Sequence, residues 1–105
     1  MIARIWHGWT SAENADAYES LLQHEIFINI RKREIPGFRG IQLLRSQTEN
    51  ETAFVTIMRF DNLGSVKAFA GEHYQTAVVP EEAQKLLIRY DAVSSHYEIR
   101  EEISR

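Results

Sequence analysis

Cysteine is absent from this chain. A disulfide scaffold, a thiolate nucleophile and a cysteine-ligated zinc or iron–sulfur centre are excluded with it. No apolar run approaches the length of a membrane span, and no basic-then-apolar leader opens the chain, because Arg4 already interrupts its first residues. The expectation is a soluble cytoplasmic protein with no membrane partner. Neither sign of charge dominates: 12 basic against 15 acidic residues leave a formal charge of −3. Such a surface exerts no electrostatic pull on nucleic acid, so none is expected as a partner. Metal-binding spacing is missing too. The four histidines, His7, His24, His73 and His96, form neither His-x-x-x-His nor His-Glu-x-x-His. The serines lack a Gly-x-Ser-x-Gly setting, no phosphate-binding loop is present, and no pair of carboxylates stands out as an acid–base couple.

What is present suits one globular domain, 1–105: 105 residues, 44 % hydrophobic and 26 % charged. Residues 2–9 are rich in β-branched and aromatic side chains and read as a strand. Thr10-Ser11-Ala12-Glu13 has the pattern of a capping box. Behind it Ala15, Tyr18, Leu22, Ile26 and Ile30 recur at helical spacing. The cations Arg31, Lys32 and Arg33 suit the end of that long helix, and Pro36-Gly37 stops it. Residues 38–45 and 52–60 form a predicted hairpin across a polar turn. Asp61 or Asn62 caps a short helix carrying Leu63, Val66 and Phe69, which Gly71 ends as a left-handed cap. Pro80-Glu81-Glu82 opens a further helical turn. Residues 90–99 read as the last strand, and 100–105 as a frayed tail.

The order β-α-β-β-α-β is the ferredoxin-like α+β plan, an antiparallel sheet with helices on one face. Yet residues 53–60 are apolar at both parities, and Ile2, Ile5, Trp6 and Trp9 make the first strand similar. A sheet with one wet face alternates more cleanly. The second face therefore calls for a partner, and another copy of the chain, a homodimer, is the simplest one.

The segment Pro36-Gly37-Phe38-Arg39-Gly40-Ile41-Gln42-Leu43-Leu44-Arg45 resembles the PGFxGxxLLR stretch of the antibiotic biosynthesis monooxygenase superfamily. Met1-Ile2-Ala3-Arg4-Ile5-Trp6, Ala15-Asp16-Ala17-Tyr18 and Ser65-Val66-Lys67-Ala68-Phe69 fit the same pattern. The resemblance implies a dimeric α+β barrel. For function it implies a cofactor-independent monooxygenase acting on a small aromatic or polyketide-type compound, or a non-catalytic ligand-binding or structural dimer of the same fold. The haem-degrading branch fits poorly. Its strand asparagine falls on Trp6, its helix tryptophan on Phe69 and its haem-ligand histidine near Val78, which leaves only His73 as a substitute. No haem, flavin or metal is expected.

A pocket between sheet and helices would be lined by Arg4, Trp6, Phe69, His73 and Tyr74. Trp6 is either a core filler or the flat wall on which an aromatic ligand stacks. Arg4 and Arg59 sit inside apolar strands, where a cation needs a partner: Glu98 or Asp91 in a salt bridge, or a ligand phenolate or carboxylate. His73, on a loop, is the candidate catalytic base that accepts a phenolic proton, against the plainer alternative of loop packing. Tyr74 would hydrogen-bond the far end of the ligand. His24 reads as a solvated helix residue, and His7 and His96 as strand residues of open orientation.

Overall fold

A computed structural model describes all of residues 1–105. Strands β1 (Ile2–Ser11), β2 (Phe38–Gln47), β3 (Glu51–Phe60), β4 (Leu87–Tyr90) and β5 (Ser95–Glu98) form one antiparallel sheet. Its spatial order is β2-β3-β1, with β4 and β5 both on the far side of β1. The helices lie on one face, which gives the expected ferredoxin-like α+β arrangement. No helix is long and apolar enough to cross a membrane.

β1 is longer than its composition suggested. It pairs with β3 from Ile2↔Phe60 to Ser11↔Glu51, and this ladder draws Thr10 into the sheet, fully buried opposite Thr52. The expected capping box therefore does not form. The helix begins at Ala15 with no side-chain cap at Asn14; Ser11 Oγ instead accepts the Asn14 N–H at 3.2 Å and tightens the turn into it.

The long helix is there, but it is not uniform. It comprises α1 (Ala15–Leu21), a π-helical segment (Leu22–Ile26) and α2 (Phe27–Lys32). The Phe27 N–H reaches back five residues to the Leu22 carbonyl. One wide turn of this kind is a single-residue insertion in an α-helix, a feature enriched at functional sites. After Arg33 the chain passes through Glu34 at φ 49° and Gly37 at φ 82°. A Cβ on Gly37 would sit 2.0 Å from Ser65 Oγ, so both the backbone angle and the close approach of the next helix require glycine.

α3 (Leu63–Ala70) starts as expected, with Asn62 Oδ1 accepting the Ser65 N–H at 2.9 Å. It ends at Gly71, whose φ of 88° is positive but whose ψ of −174° is extended, outside a left-handed helical cap. α4 (Glu81–Gln84) is one turn. The strand expected over 90–99 is limited to β5, and a further strand, β4, precedes it. β4 pairs with β1 at Gly8–Thr10 and β5 with Ile2–Ile5; Asp91 still donates its N–H to His7 O, and residues 92–94 leave the edge between the two strands. There the backbone pairs with the loop after α3 instead: Ala77 N–H donates to Ala92 O, Ser94 N–H donates to Gln75 O, and Thr76 bridges Val93.

Even-numbered residues of β1 and β3 face the helices. They pack in two clusters, one around Tyr18, Leu22 and Phe54 and one around Met58, Phe60, Val66 and Phe69. Tyr18 and Phe54 meet with ring centroids 4.8 Å apart. The odd-numbered face carries Ile5, Trp9, Val55 and Ile57 and has no helix over it; Leu44 (45 % exposed) and Tyr97 (59 %) continue it onto β2 and β5.

Candidate functional site

Three alternate residues of β1, Arg4, Trp6 and Gly8, point toward the helices, as a strand's period of two requires. Gly8 is the middle of this arrangement's economy of space. The Trp6 ring lies over it so closely that a Cβ there would be 2.6 Å from Trp6 Cη2. Trp6 Nε1 donates to the Asp91 carbonyl at 2.8 Å, and its ring tilts against Tyr90 at 6.1 Å. The break between β4 and β5 supplies that carbonyl.

Arg4 is 4 % exposed and has no carboxylate partner. The expected salt bridge to Glu98 or Asp91 is absent: Asp91 lies 3.7 Å from His7 Nδ1, and Glu98 pairs loosely with Arg100 at 3.9 Å. Both acids sit on the sheet edge, away from the buried end of the Arg4 side chain. Arg4 donates instead to Tyr74 O (2.5 Å), to His96 Nε2 (2.9 Å) and to Thr76 O (3.3 Å), and its guanidinium lies 5.5 Å from the Phe69 ring centroid. Burial pulls its pKa below the usual arginine value, although a guanidinium stays charged throughout the working range. Arg59, the other strand cation, belongs to the opposite, open face and makes no ion pair.

His96 faces Arg4 directly across the β1–β5 ladder. Because arginine can only donate, His96 Nε2 must accept, so the imidazole is neutral with its proton on Nδ1. Burial first, and the Arg4 charge second, lower the His96 pKa. Its ring also meets Tyr74 edge-on at 5.2 Å.

Arg4, Trp6 and Phe69 border a cavity of about 70 Å³ between sheet and helices. Its walls include Trp6, Tyr18, Phe27, Met58 and Phe69; Arg4 is the one charged residue, and Thr56 and Ser94 contribute hydroxyls. The π-helical segment places Leu22 and Ile26 here. Ile26, Ile30, Phe69, Val78 and Pro80 are walls that this cavity shares with a surface cleft of about 360 Å³ rimmed by Glu25, Asn29, Arg33 and Glu82. Arg33 also lies 5.3 Å from the Phe69 ring and donates to the Phe69 carbonyl at 3.1 Å, which fixes the ring at the mouth.

Of the five residues singled out in the sequence, the structure brings Arg4, Trp6 and Phe69 to the cavity. Tyr74 stands behind Arg4, contributing its carbonyl rather than its hydroxyl. His73 is exposed on the 71–79 loop and lines no cavity, because the pairing of residues 75–77 with 92–94 turns it outward. Sequence reasoning missed His96 as the partner of Arg4 and Tyr18 as a wall. The signal for His96 lay in the register of the last strand, which the broken edge conceals. Burial pushes the Tyr18 pKa well up. With Arg4 permanently charged and Tyr18 neutral, no lining group exchanges a proton near neutral pH. The lining contains no histidine, and no group of three or more His, Cys, Asp or Glu side chains that could hold a metal ion occurs in the structure.

An antiparallel ferredoxin-like sheet with a single helical layer is the fold this chain shares with antibiotic biosynthesis monooxygenase-type proteins. Solved structures of that type superpose over the whole chain. A protein of Bacillus cereus assigned as an antibiotic biosynthesis monooxygenase is 12 % identical, with a TM-score of 0.68 over 99 % of this chain and 97 % of its own. A Deinococcus radiodurans protein with the same assignment is 18 % identical, with a TM-score of 0.67 over 100 % and 98 %. The haem degrader MhuD of Mycobacterium tuberculosis, solved with two haems in its active site, is 17 % identical, with a TM-score of 0.59 over 99 % and 100 %. No family model and no curated protein matches the sequence.

Proposed function

We propose that residues 1–105 form one domain of the antibiotic biosynthesis monooxygenase type that takes a small aromatic or polyketide-type molecule into the cavity between sheet and helices and oxidises it without a cofactor. The observation that carries this reading is an aromatic-walled cavity that shares five wall residues with a wider surface cleft. A hollow of about 150 Å³ accommodates a benzene ring. The inner cavity therefore takes one end of such a ligand and the cleft takes the rest. Trp6 and Phe69 supply flat faces for stacking. In such a reaction the electron-rich substrate delivers its electrons to oxygen, and the protein's work is to hold it in a dry, oriented state. His73 is not retained as the base, since it does not reach the cavity.

A second reading, a non-catalytic binding protein of the same fold, is favoured by one observation: the inner cavity is lined by no carboxylate or imidazole, and the two carboxylates, Glu25 and Glu82, belong to the outer cleft. Oxygen uptake with a panel of hydroquinones separates the two. Turnover above the uncatalysed rate supports the enzyme. A thermal shift on ligand addition without oxygen uptake supports the binder, and neither response rejects both.

We also propose a homodimer closed through the open sheet face. Ile5, Trp9, Leu44, Val55, Ile57 and Tyr97 make a contiguous apolar surface that a second copy would cover. Sedimentation of a monomer at micromolar concentration would contradict it.

A further inference from the structure

The cavity's single charge has no counter-charge, and the binding energy of a buried cation is then available to a ligand. A guanidinium carries five N–H groups. Arg4 uses three: two on Nη1, to Tyr74 O and His96, and one on Nη2, to Thr76 O. Nε–H and the second Nη2–H have no protein acceptor. Nε–H together with the Nη2–H on its own side is the edge of a guanidinium, a fork that receives a carboxylate or a phenolate oxygen. The three existing bonds hold the fork still, and Phe69 packs against it. The acidic groups nearest the route in, Glu25 and Glu82, line only the outer cleft.

We infer that the molecule bound here is an organic anion, and that its ionised oxygen sits on the free N–H fork of Arg4 while its apolar body extends toward the mouth. This rests on the cavity being the ligand site, as proposed above, and adds the chemical class of what enters it. A neutral ligand of equal shape would leave the cation desolvated and unpaired. Charge therefore sets selectivity here, and shape sets the rest. Arg4 is the residue that discriminates; the carbonyls of Tyr74 and Thr76 and the neutral imidazole of His96 position it.

The test uses two probes of one shape, 2-naphthoate and 2-naphthamide, titrated into the wild-type protein by calorimetry at pH 7.5 and low salt. The naphthoate should bind at least about tenfold more tightly, the range expected for a charge-assisted pair of hydrogen bonds. Arg4→Gln should reduce that preference to within about twofold. Equal affinity of the two probes in the wild type overturns the inference and leaves the cavity reading intact. Binding of neither overturns both, and a preference that survives Arg4→Gln overturns the assignment to Arg4. Should Arg4→Gln fail to fold, the side-chain Nε–H resonance of Arg4 gives the same answer in the wild type. It should shift with naphthoate and stay fixed with naphthamide, and a resonance that ignores both rejects the fork.

Discussion

Gly8→Ala is the smallest change that reaches the site, one methyl group added to β1. The new Cβ would stand 2.6 Å from Trp6 Cη2, 3.0 Å from Cζ3 and 3.1 Å from Leu87 Cδ2. Carbon atoms rest at about 3.5–4.0 Å, so the indole must retreat by about 1 Å at its far edge. The ring is not free to do so. Its Nε1 is bonded to Asp91 O at 2.8 Å, and Tyr90 flanks it. Overpacking of this kind costs about 1–3 kcal/mol, and loss of the indole hydrogen bond about 0.5–1.5 kcal/mol more. Alanine's advantage over glycine inside a strand returns about 0.5–1 kcal/mol. The net expectation is destabilisation of about 1–3 kcal/mol, well above what a surface glycine would give. Urea unfolding followed by far-UV circular dichroism, at fixed protein concentration, reads the stability. Trp6 emission in a Trp9→Phe background reads the ring. A Gly8→Ala protein as stable as its parent, with unchanged emission, would refute the claim that Gly8 exists to seat Trp6.

Three other measurements bear on separate parts of the molecule. Asn62→Ala should cost about 1 kcal/mol in the same unfolding experiment, because it removes the side-chain acceptor for the Ser65 N–H at the start of α3. Stability should fall as pH is lowered through and below 6.5, the ordinary histidine value, and level off beneath the lowered folded-state value of His96. The sign follows from proton uptake on unfolding: the unfolded histidine binds a proton at a pH where the folded one, buried beside Arg4, still does not. His96→Gln should flatten that slope, and an unchanged slope would remove His96 as its source. Ile57→Lys, on the open sheet face, should lower the apparent mass in sedimentation from dimer to monomer while leaving the far-UV spectrum unchanged; a dimer that persists would place the contact elsewhere.

Local patterns in the sequence were enough for the order of elements from β1 through α3, the cap at Asn62, the end of the long helix before Pro36 and the two-sided apolar character of β3, since each rests on residues adjacent in the chain. Trp6, Arg4 and Phe69 were legible as wall, cation and helix face from parity and period together with the family resemblance, which supplied the face of β1 that looks toward the helices. What stayed hidden depends on distant partners. Thr10 looked like a cap until the β3 ladder claimed it. The last strand read as continuous because nothing in residues 90–99 reveals that the 75–77 backbone competes for its hydrogen bonds. Arg4 seemed to need an acid, but the carbonyls that hold it are seventy and more residues away and carry no side-chain signature. The extra residue in the long helix preserves the spacing of Leu22, Ile26 and Ile30 and so leaves no trace in the pattern.

The way the 71–79 loop is seated bears on how such a protein can change over generations. Beside the packing of the Tyr74 ring, the loop's hydrogen bonds to the body use its main-chain atoms: Ala77 N–H to Ala92 O, Ser94 N–H to Gln75 O, and the carbonyls of Tyr74 and Thr76 to Arg4. A bond written in peptide groups is indifferent to the side chain beside it. Exposed Gln75, Thr76, Ala92 and Val93 can thus vary widely without unseating the loop, whereas proline at Ala77 or Ser94 deletes a donor and Ser94, buried in the cavity wall, has little room for a larger side chain. Val78 and Pro80, just beyond those ties, border the cavity mouth. Descendants of this chain could alter the shape of the doorway step by step while the cation beneath it stays in register, so that new molecules are admitted without rebuilding the floor.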